Sequence, residues 1–179
     1  MLRYAIVLFI ASVLLAACQT DTQQNTTATP QIITSGDSCH LCGMIIKNFP
    51  GPKGQAFVKG NQQAQKFCST LDLFSFVLQP ENQTQVSQVF VHDMGATDWQ
   101  NPEDEFFINA ANAWYVVGHN QRGAMGHTLA SFAVQQKARQ FCQQNGGRVI
   151  AYDDIDLLLL GQLGRGELDG NSADNADCQ

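Results

Sequence analysis

The sequence predicts an α+β domain built from two repeated ββαβ units. The first observation behind this prediction is an internal similarity, in which the segment starting at Ala56 aligns without a gap with the segment starting at Trp114. The second is that both segments show a β-rich run, a glycine, a second short strand, a helix and a closing strand. The identical pairs are Gly60/Gly118, Gln63/Gln121, Thr70/Thr128, Leu71/Leu129 and Phe74/Phe132.

The first unit has clear signals for the ends of its elements. Gly60 permits a turn at positive φ after the first strand, and the Ser69 and Thr70 hydroxyls can cap the N-terminus of a helix. Pro80 ends that helix because proline cannot continue it. We also expect Met44–Ile46 to start or edge the first sheet. The predicted elements are a strand over Gln55–Lys59, a helix over about Leu71–Leu78 and a strand over Gln88–Val91.

The second unit repeats this order. Its helix is predicted to start at Thr128, by analogy with Thr70, and to end at Gly146-Gly147, a typical C-terminal signal. Cys142 falls on the apolar face of this helix and is expected to be a core residue, whereas His119, at a hairpin tip, is expected to be exposed. The predicted elements are a strand over Trp114–Val117, a helix over about Leu129–Gln144 and a strand over Arg148–Ala151.

The two ends of the chain are predicted to lie outside the folded head. Residues 1–17 form a short apolar segment after Arg3, typical of an export signal, and Leu15-Ala16-Ala17-Cys18 resembles the lipobox of bacterial lipoproteins. Cys18 would then carry the lipid, although a plain signal peptide remains an alternative. Gln19 weakly favours the outer over the inner membrane. The predicted organisation is a tether over 18–38, a head over 39–160 (units about 39–94 and 113–160) and a flexible tail over 161–179.

Composition excludes some classes of function and constrains the cysteines. A net charge of −6, without clusters of lysine and arginine, argues against a nucleic-acid partner. Outside the cytoplasm, cysteines tend to pair unless a metal or a reductase protects them. Of the six cysteines, five remain if Cys18 is lipidated, so at least one thiol must be free, metal-bound or intermolecular. Cys178 in the tail receives no role, and burial as a small apolar residue is favoured for Cys68.

Soft ligand atoms are concentrated in Cys39-His40-Leu41-Cys42-Gly43-Met44. A Cys-x-x-Cys pair alone fits a metal half-site, a redox pair or a simple disulfide, but this pair precedes a predicted strand, which disfavours thioredoxin-like chemistry. Met44, Met94 and Met125 all lie beside glycine or histidine, outside the predicted apolar helix faces, so they are not placed like core fillers. Thiolate and thioether donors suit Cu(I), whereas one Cys-x-x-Cys alone cannot complete a zinc site.

A series of short motifs then spans the head. They are Cys39-x-x-Cys42-Gly43-Met44, Lys66-Phe67-Cys68-Ser69, Val91-His92-Asp93-Met94, Ala113-Trp114-Tyr115-Val116, Gly123-Ala124-Met125-Gly126, Gly146-Gly147-Arg148-Val149 and Asp153-Asp154-Ile155. In this order they resemble the NosL family, the lipoprotein copper chaperones that accompany nitrous oxide reductase. The resemblance covers about 39–160, nearly the whole head, and the lipobox matches as well.

This resemblance implies a periplasm-facing Cu(I) metallochaperone with no catalytic turnover. The implied partners are an ABC-type membrane maturation complex with its periplasmic component, and indirectly the copper–sulfide centre of the reductase. Matching motif positions imply Cys42 and Met125 as primary copper ligands, with Met44, Cys39 and His127 as secondary candidates; family members often have proline at the position of His127. The family fold resembles organomercurial lyase, which does not imply lyase activity.

Two alternatives of other classes remain open from the sequence. A thiol–disulfide oxidoreductase would use Cys39 and Cys42 as its redox pair and would show turnover. A structural lipoprotein would use a bridge between the same two cysteines to tighten a loop, and would have no affinity for metal.

Overall fold

The computed structural model describes residues 28–168 and Cys178. The predicted signal segment, Cys18 and the first part of the predicted tether therefore lie outside the described residues. Short 3-10 turns connect several of the elements. The strands and helices, in chain order, are β1 Gly54–Val58, β2 Gln65–Phe67, α1 Thr70–Val77, α2 Pro80–Gln83, β3 Val86–His92, β4 Phe107–Asn109, β5 Trp114–Val117, β6 Ala130–Phe132, α3 Gln135–Asn145, β7 Arg148–Ala151 and α4 Leu157–Gly164.

Two antiparallel sheets form the framework, so the predicted α+β class is confirmed. The first has the strand order β2-β1-β3-β4 and the second has the order β6-β5-β7. Gly54 pairs with both Phe67 and Val91 in the first sheet. In the second, Trp114 pairs with both Phe132 and Ala151. Each half therefore contains a central strand flanked by the next strand and by the strand that follows the helix.

Helix α1 forms as its sequence predicts. The backbone N–H of Asp72 donates to Ser69 Oγ (3.1 Å), which caps the helix N-terminus. Leu73 and Phe74 are fully buried and belong to the main core. Gly54 lies directly under the helix, where an added Cβ would come within 2.5 Å of Leu73 Cδ2. The helix is thus packed closely against β1, which fixes the position of its N-terminus.

The predicted start of the second helix at Thr128 is wrong. Thr128 leads into strand β6, and helix α3 begins only at Gln135, without a side-chain cap. The physical reason is tertiary: Thr128 Oγ1 lies 2.8 Å from Thr70 Oγ1, and Leu129 is completely buried between the halves. A gapless alignment over this stretch therefore matches a helix start with a strand. The expected strand at Met44–Ile46 is also absent, because a single bridge at Ile45 leads into a 3-10 turn.

Part of the stretch expected as a tether packs against the head. The backbone N–H of Gln31 donates to the buried Gln55 side chain (2.8 Å), whose amide donates back to the Gln31 carbonyl. Ile33 is buried, and its N–H donates to Asp104 Oδ2 (2.9 Å). These paired amide bonds explain how a polar segment becomes ordered without many apolar residues.

The C-terminal region also differs from expectation. Helix α4 runs past the boundary expected at residue 160, and Leu163 is buried in the main core. Cys142 is buried, as predicted, but it forms a disulfide with Cys178, to which the sequence had assigned no role. Within residues 28–168, no helix is both long enough and apolar enough to cross a membrane.

Candidate metal centre

A tight turn places the first two thiols. The N–H of Gly43 donates to the Cys39 carbonyl (2.9 Å), and the N–H of Cys39 donates to the Met44 carbonyl (2.8 Å). Gly43 adopts a positive φ of 74°, which favours glycine at this position. The N–H of His40 donates to the Lys66 carbonyl (2.8 Å), which fixes the turn to the free edge of β2. Because β2 is the edge strand, its unpaired carbonyl is available for this contact.

The third thiol comes from the junction between β2 and α1. Cys68 is fully buried, as predicted, and its Sγ lies 3.4 Å from Cys42 Sγ. Cys68 therefore belongs to the thiol cluster, a role that the sequence favoured less than simple burial. The available signal was its position just before the helix cap at Ser69, because reactive and metal-binding cysteines often lie at the start of a helix.

Asp72 completes the group and was not predicted from the sequence. It lies in the first turn of α1 and is 7% exposed. Its Oδ2 lies 3.2 Å from Cys68 Sγ and 3.4 Å from Cys39 Sγ. The i to i+4 spacing of Cys68 and Asp72 would have placed both on one side of the helix start. However, only the fold brings Cys39 to the same carboxylate.

Together these four residues could bind one metal ion. The ligand atoms of Cys39, Cys42, Cys68 and Asp72 all lie within 4.8 Å of one another. Metal–sulfur bonds are about 2.3 Å long, so atoms around a single ion are separated by up to about twice that distance. The donor set therefore fits one ion with a small contraction. Cys42 is half-buried, whereas the other members are buried, so the group is reached from the side of Cys42.

The buried thiols share negative charge unequally. A hydrogen bond from Cys68 lowers the pKa of the Cys39 thiol to about 4, while the same bond raises the pKa of Cys68. Loss of solvent raises the pKa of Cys42 and of Asp72. These shifts favour negative charge on Cys39 over Cys42 and Cys68. A cation that binds here would replace the protons of these neighbours, which is how metals bind thiol sites.

A buried cation lies on the strand side of the cluster. Lys53 precedes Gly54, the cross-strand partner of Phe67, and is 3% exposed. Its Nζ donates to the carbonyls of Phe49 (2.7 Å) and Pro50 (2.9 Å). Burial lowers the pKa of Lys53 to about 8, and the charge of Cys68 acts in the opposite direction. The ammonium group thus offsets part of the negative charge that a thiolate site accumulates.

Met125 occupies the tip of a separate turn. The N–H of Gly123 donates to the Gly126 carbonyl (2.7 Å), and the Met125 side chain is 51% exposed. The base of this loop is tied to α1, because Thr70 Oγ1 donates to the Leu129 carbonyl (2.6 Å) and accepts from its N–H (3.0 Å). The base of the Met125 loop is therefore tied to the helix start next to Cys68, and the role of Met125 as a ligand stays a prediction.

The other predicted ligands have different environments. Met44 is half-buried and packs against the main core, and its carbonyl closes the Cys39 turn. His127 Nδ1 lies 3.0 Å from Arg122 Nη1, outside the four-residue group. His119 is buried against Trp99 and Phe141, so its predicted exposure is wrong. The hairpin tip folds back beneath Trp99, which sequence periodicity does not show.

Comparisons with known proteins agree in family. The family model described as NosL matches residues 30–159. The chain is 47% identical over 131 residues to a copper-binding lipoprotein NosL of Stutzerimonas stutzeri, covering 73% of this chain and 68% of the relative. It is 36% identical over 163 residues to a protein of the same name from Achromobacter cycloclastes, covering 89% and 83%.

A solved structure shows the same fold. The crystal structure of the copper chaperone NosL from Shewanella denitrificans superposes on this chain with a TM-score of 0.72 at 49% sequence identity. The superposition covers 73% of this chain and 97% of that chain.

Proposed function

The chain belongs to the NosL family, and from this premise we propose that it is a lipid-anchored Cu(I) metallochaperone. The resemblance read from its motifs is thereby confirmed. The observation that supports this function most directly is the group of three thiols and one carboxylate with ligand atoms within 4.8 Å. The curated relatives are named copper-binding lipoproteins, which supports both the metal and the anchor.

The chemistry of the donors favours Cu(I). Three sulfur atoms form a soft, polarizable set that matches Cu(I), and Asp72 can accept a hydrogen bond from any thiol that remains protonated. The same four atoms could also hold Zn(II) in a closed tetrahedral site. The proposal therefore requires that Cu(I) displace Zn(II) at equilibrium, and this requirement makes it testable.

The uneven burial of the ligands offers a route by which copper can be released. Cys42 is the half-buried member, and Leu41 beside it is 51% exposed. An acceptor's thiolate or thioether can therefore reach the metal from this side and displace Cys42 first. The half-exposed Met125 then has a role as a transfer ligand, because its loop is anchored to the start of α1. Cys42 and Met125 thus remain our proposed primary ligands, with Cys39 and Cys68 beneath them.

Partner and location are part of the same proposal. The predicted lipid on Cys18 would anchor the head to a membrane of the cell envelope, facing the periplasm. Gln19 weakly favours the outer membrane over the inner membrane. An ABC-type maturation complex with its periplasmic component would receive copper there, for the copper–sulfide centre of nitrous oxide reductase. Copper is cargo in this scheme, so the protein needs no catalytic turnover.

We also propose an origin by internal duplication. The two halves share an element order, and three strands of each sheet follow the same order, which supports the repeated ββαβ description. The likeness to organomercurial lyase stays a proposal based on the family resemblance. The likeness concerns architecture, and it carries no implication of lyase activity.

A Cu(I) titration tests the function. The full-length protein in detergent is titrated without oxygen against a chromophoric chelator, together with Cys42→Ser, Cys68→Ser and Met125→Leu. We expect at least a hundredfold loss of affinity for each cysteine variant and a smaller loss for Met125→Leu. Unchanged affinity in both Cys42→Ser and Met125→Leu would refute the site, and displacement of Cu(I) by Zn(II) would refute the chaperone function.

The oxidoreductase alternative retains one supporting observation. Cys68 lies at a helix N-terminus in contact with Cys42, an arrangement that suits thiol exchange. An insulin-reduction assay separates the two functions, since the alternative requires turnover by the wild-type protein and its loss in Cys39→Ser or Cys42→Ser. The chaperone predicts no turnover above the rate of free thiols.

A further inference from the structure

We propose that Cys42 and Cys68 form a reversible disulfide by exchange with a small-molecule disulfide such as glutathione disulfide. This modification site pairs Cys42 with a cysteine from another element, whereas sequence reasoning considered only its neighbour Cys39. The second part of the proposal rests on the proposed function: the disulfide blocks the copper site until a reductant restores both thiols.

The contact between the two sulfurs selects this pair. Cys42 Sγ and Cys68 Sγ are 3.4 Å apart, close to van der Waals contact, and a disulfide needs about 2.05 Å. Both thiols are unpaired. Cys42 lies in a loop turn, whereas Cys68 is held by the capped start of α1. A shift of the turn by little more than 1 Å would therefore bring the sulfurs to bonding distance.

The order of exposure gives the order of the chemical steps. Half-buried Cys42 is the thiol that an external disulfide meets first. Cys42 gives up its proton, and its sulfur attacks one sulfur of glutathione disulfide. That S–S bond breaks, and one glutathione thiol is released. Cys68 then attacks the Cys42 sulfur of the mixed disulfide and displaces the second glutathione. Two protein thiols are oxidised, one glutathione disulfide is reduced, and the two thiol protons end on the two glutathione thiols.

The consequence for copper follows from the donor count. Oxidation removes two of the three thiol donors and leaves only Cys39 beside Asp72. Disulfide sulfurs carry no negative charge, so the oxidised site cannot hold Cu(I) as a thiolate site does. A bound Cu(I) ion would in turn occupy both sulfurs and protect them from exchange. The disulfide between Cys142 and Cys178 contributes no atom to this group.

The bond itself is tested first. Full-length, copper-free protein in detergent is incubated with glutathione disulfide, digested without reductant and analysed by mass spectrometry. We expect a Cys42–Cys68 linkage in the wild type and in Cys39→Ala, and a persistent glutathione adduct on Cys42 in Cys68→Ala. Cys42→Ala, changed at the half-buried position, should form no linkage within the cluster. A dominant Cys39–Cys42 linkage, or a persistent Cys42 adduct in the wild type, would overturn the proposal.

The link to copper is tested separately. Cu(I) affinity is compared for the reduced protein, the oxidised protein and protein reduced again with a phosphine that is then removed. We expect at least a hundredfold loss on oxidation and full recovery on reduction. Equal affinity in both states would overturn the gating while leaving the metal site intact. If the reduced protein binds no Cu(I), the proposed function fails, and the digest still decides whether the disulfide forms.

Discussion

The two halves of this protein share the order of three strands in their sheets but use their cysteines in opposite ways. In the first half, Cys68 precedes the capped N-terminus of α1 and lies beside Cys42 and Asp72 with its thiol unpaired. In the second half, Cys142 lies near the C-terminal end of α3 and is closed into a disulfide with Cys178. The free thiol of the candidate metal centre therefore lies at the N-terminal end of its helix, and the disulfide-bonded cysteine lies near the C-terminal end of its helix.

The starts of the two helices differ in a related way. Ser69 caps α1, but Val134 precedes α3 without a side-chain hydrogen bond to the helix. The second half instead places strand β6 and the Met125 turn before its helix, and Thr70 joins that loop to the first half. The framework therefore holds the thiol cluster in the first half and the Met125 turn in the second half.

Loss of the disulfide should give the largest effect on stability and none on the metal site. For Cys142→Ala with Cys178→Ala, we expect the free energy of unfolding to fall by about 2–4 kcal/mol, because the unfolded chain gains entropy. Urea denaturation without reductant measures this change. Cys42→Ala is the matched control, with a small stability change and a large loss of Cu(I) affinity. A comparable loss of Cu(I) affinity in the double variant would contradict the division of roles.

Acid should destabilise the second half through His119. This side chain is buried and packs edge-on against both Trp99 and Phe141. Burial lowers its pKa from 6.5 to about 4. The unfolded state therefore binds the proton first as pH falls from 6.5 to 4, and stability decreases over that window by up to about 3 kcal/mol.

The measurement is urea denaturation at pH 7 and pH 4.5. His119→Phe should remove most of the His119 contribution to the difference in unfolding free energy between the two pH values. His40→Gln, a change at an exposed histidine, serves as the control and should keep the difference. An undiminished pH difference in His119→Phe would show that other groups cause the acid sensitivity.

Asp72→Asn probes the first half more gently than loss of a thiol. The change keeps the shape of the side chain but removes the carboxylate beside Cys39 and Cys68. We expect Cu(I) affinity to fall about tenfold or more, in the range typical of groups that orient metal ligands. Asp156→Asn is the control, because Asp156 caps α4 outside the cluster. Equal effects of the two variants in the competition titration would argue against a role for Asp72.

The smallest expected effect concerns the helix caps. Ser69→Ala should lower the free energy of unfolding by about 1 kcal/mol, because the Asp72 N–H loses its acceptor. The second half allows the reverse experiment. Val134→Ser, at an exposed position with extended backbone, should raise stability by up to about 1 kcal/mol. Thermal unfolding measures the stability of both variants. A Ser69→Ala variant more stable than the wild type would show that the Ser69 cap does not stabilise α1.

Local signals were sufficient where the chain is organised locally. The cap at Ser69, the stop before Pro80 and the strands on either side of α1 were all found because neighbouring residues specify them. The start of α3 was misplaced because Thr128 makes its contacts with the other half of the molecule, and these override its own tendency to cap a helix. The similarity between the two segments therefore predicted the order of their strands and helices better than the residues at which these elements begin.

For the candidate site, the sequence by itself showed that sulfur donors are available and that they are soft ligands. Cys39 and Cys42 share one turn because Gly43 allows it, so spacing alone placed both thiols together. Only the tertiary structure decided which other groups join them. Cys68, Asp72 and the loop of Met125 come from separate elements, and Cys178 meets Cys142 from the far end of the chain. Such meetings depend on long-range packing, which composition and periodicity do not specify.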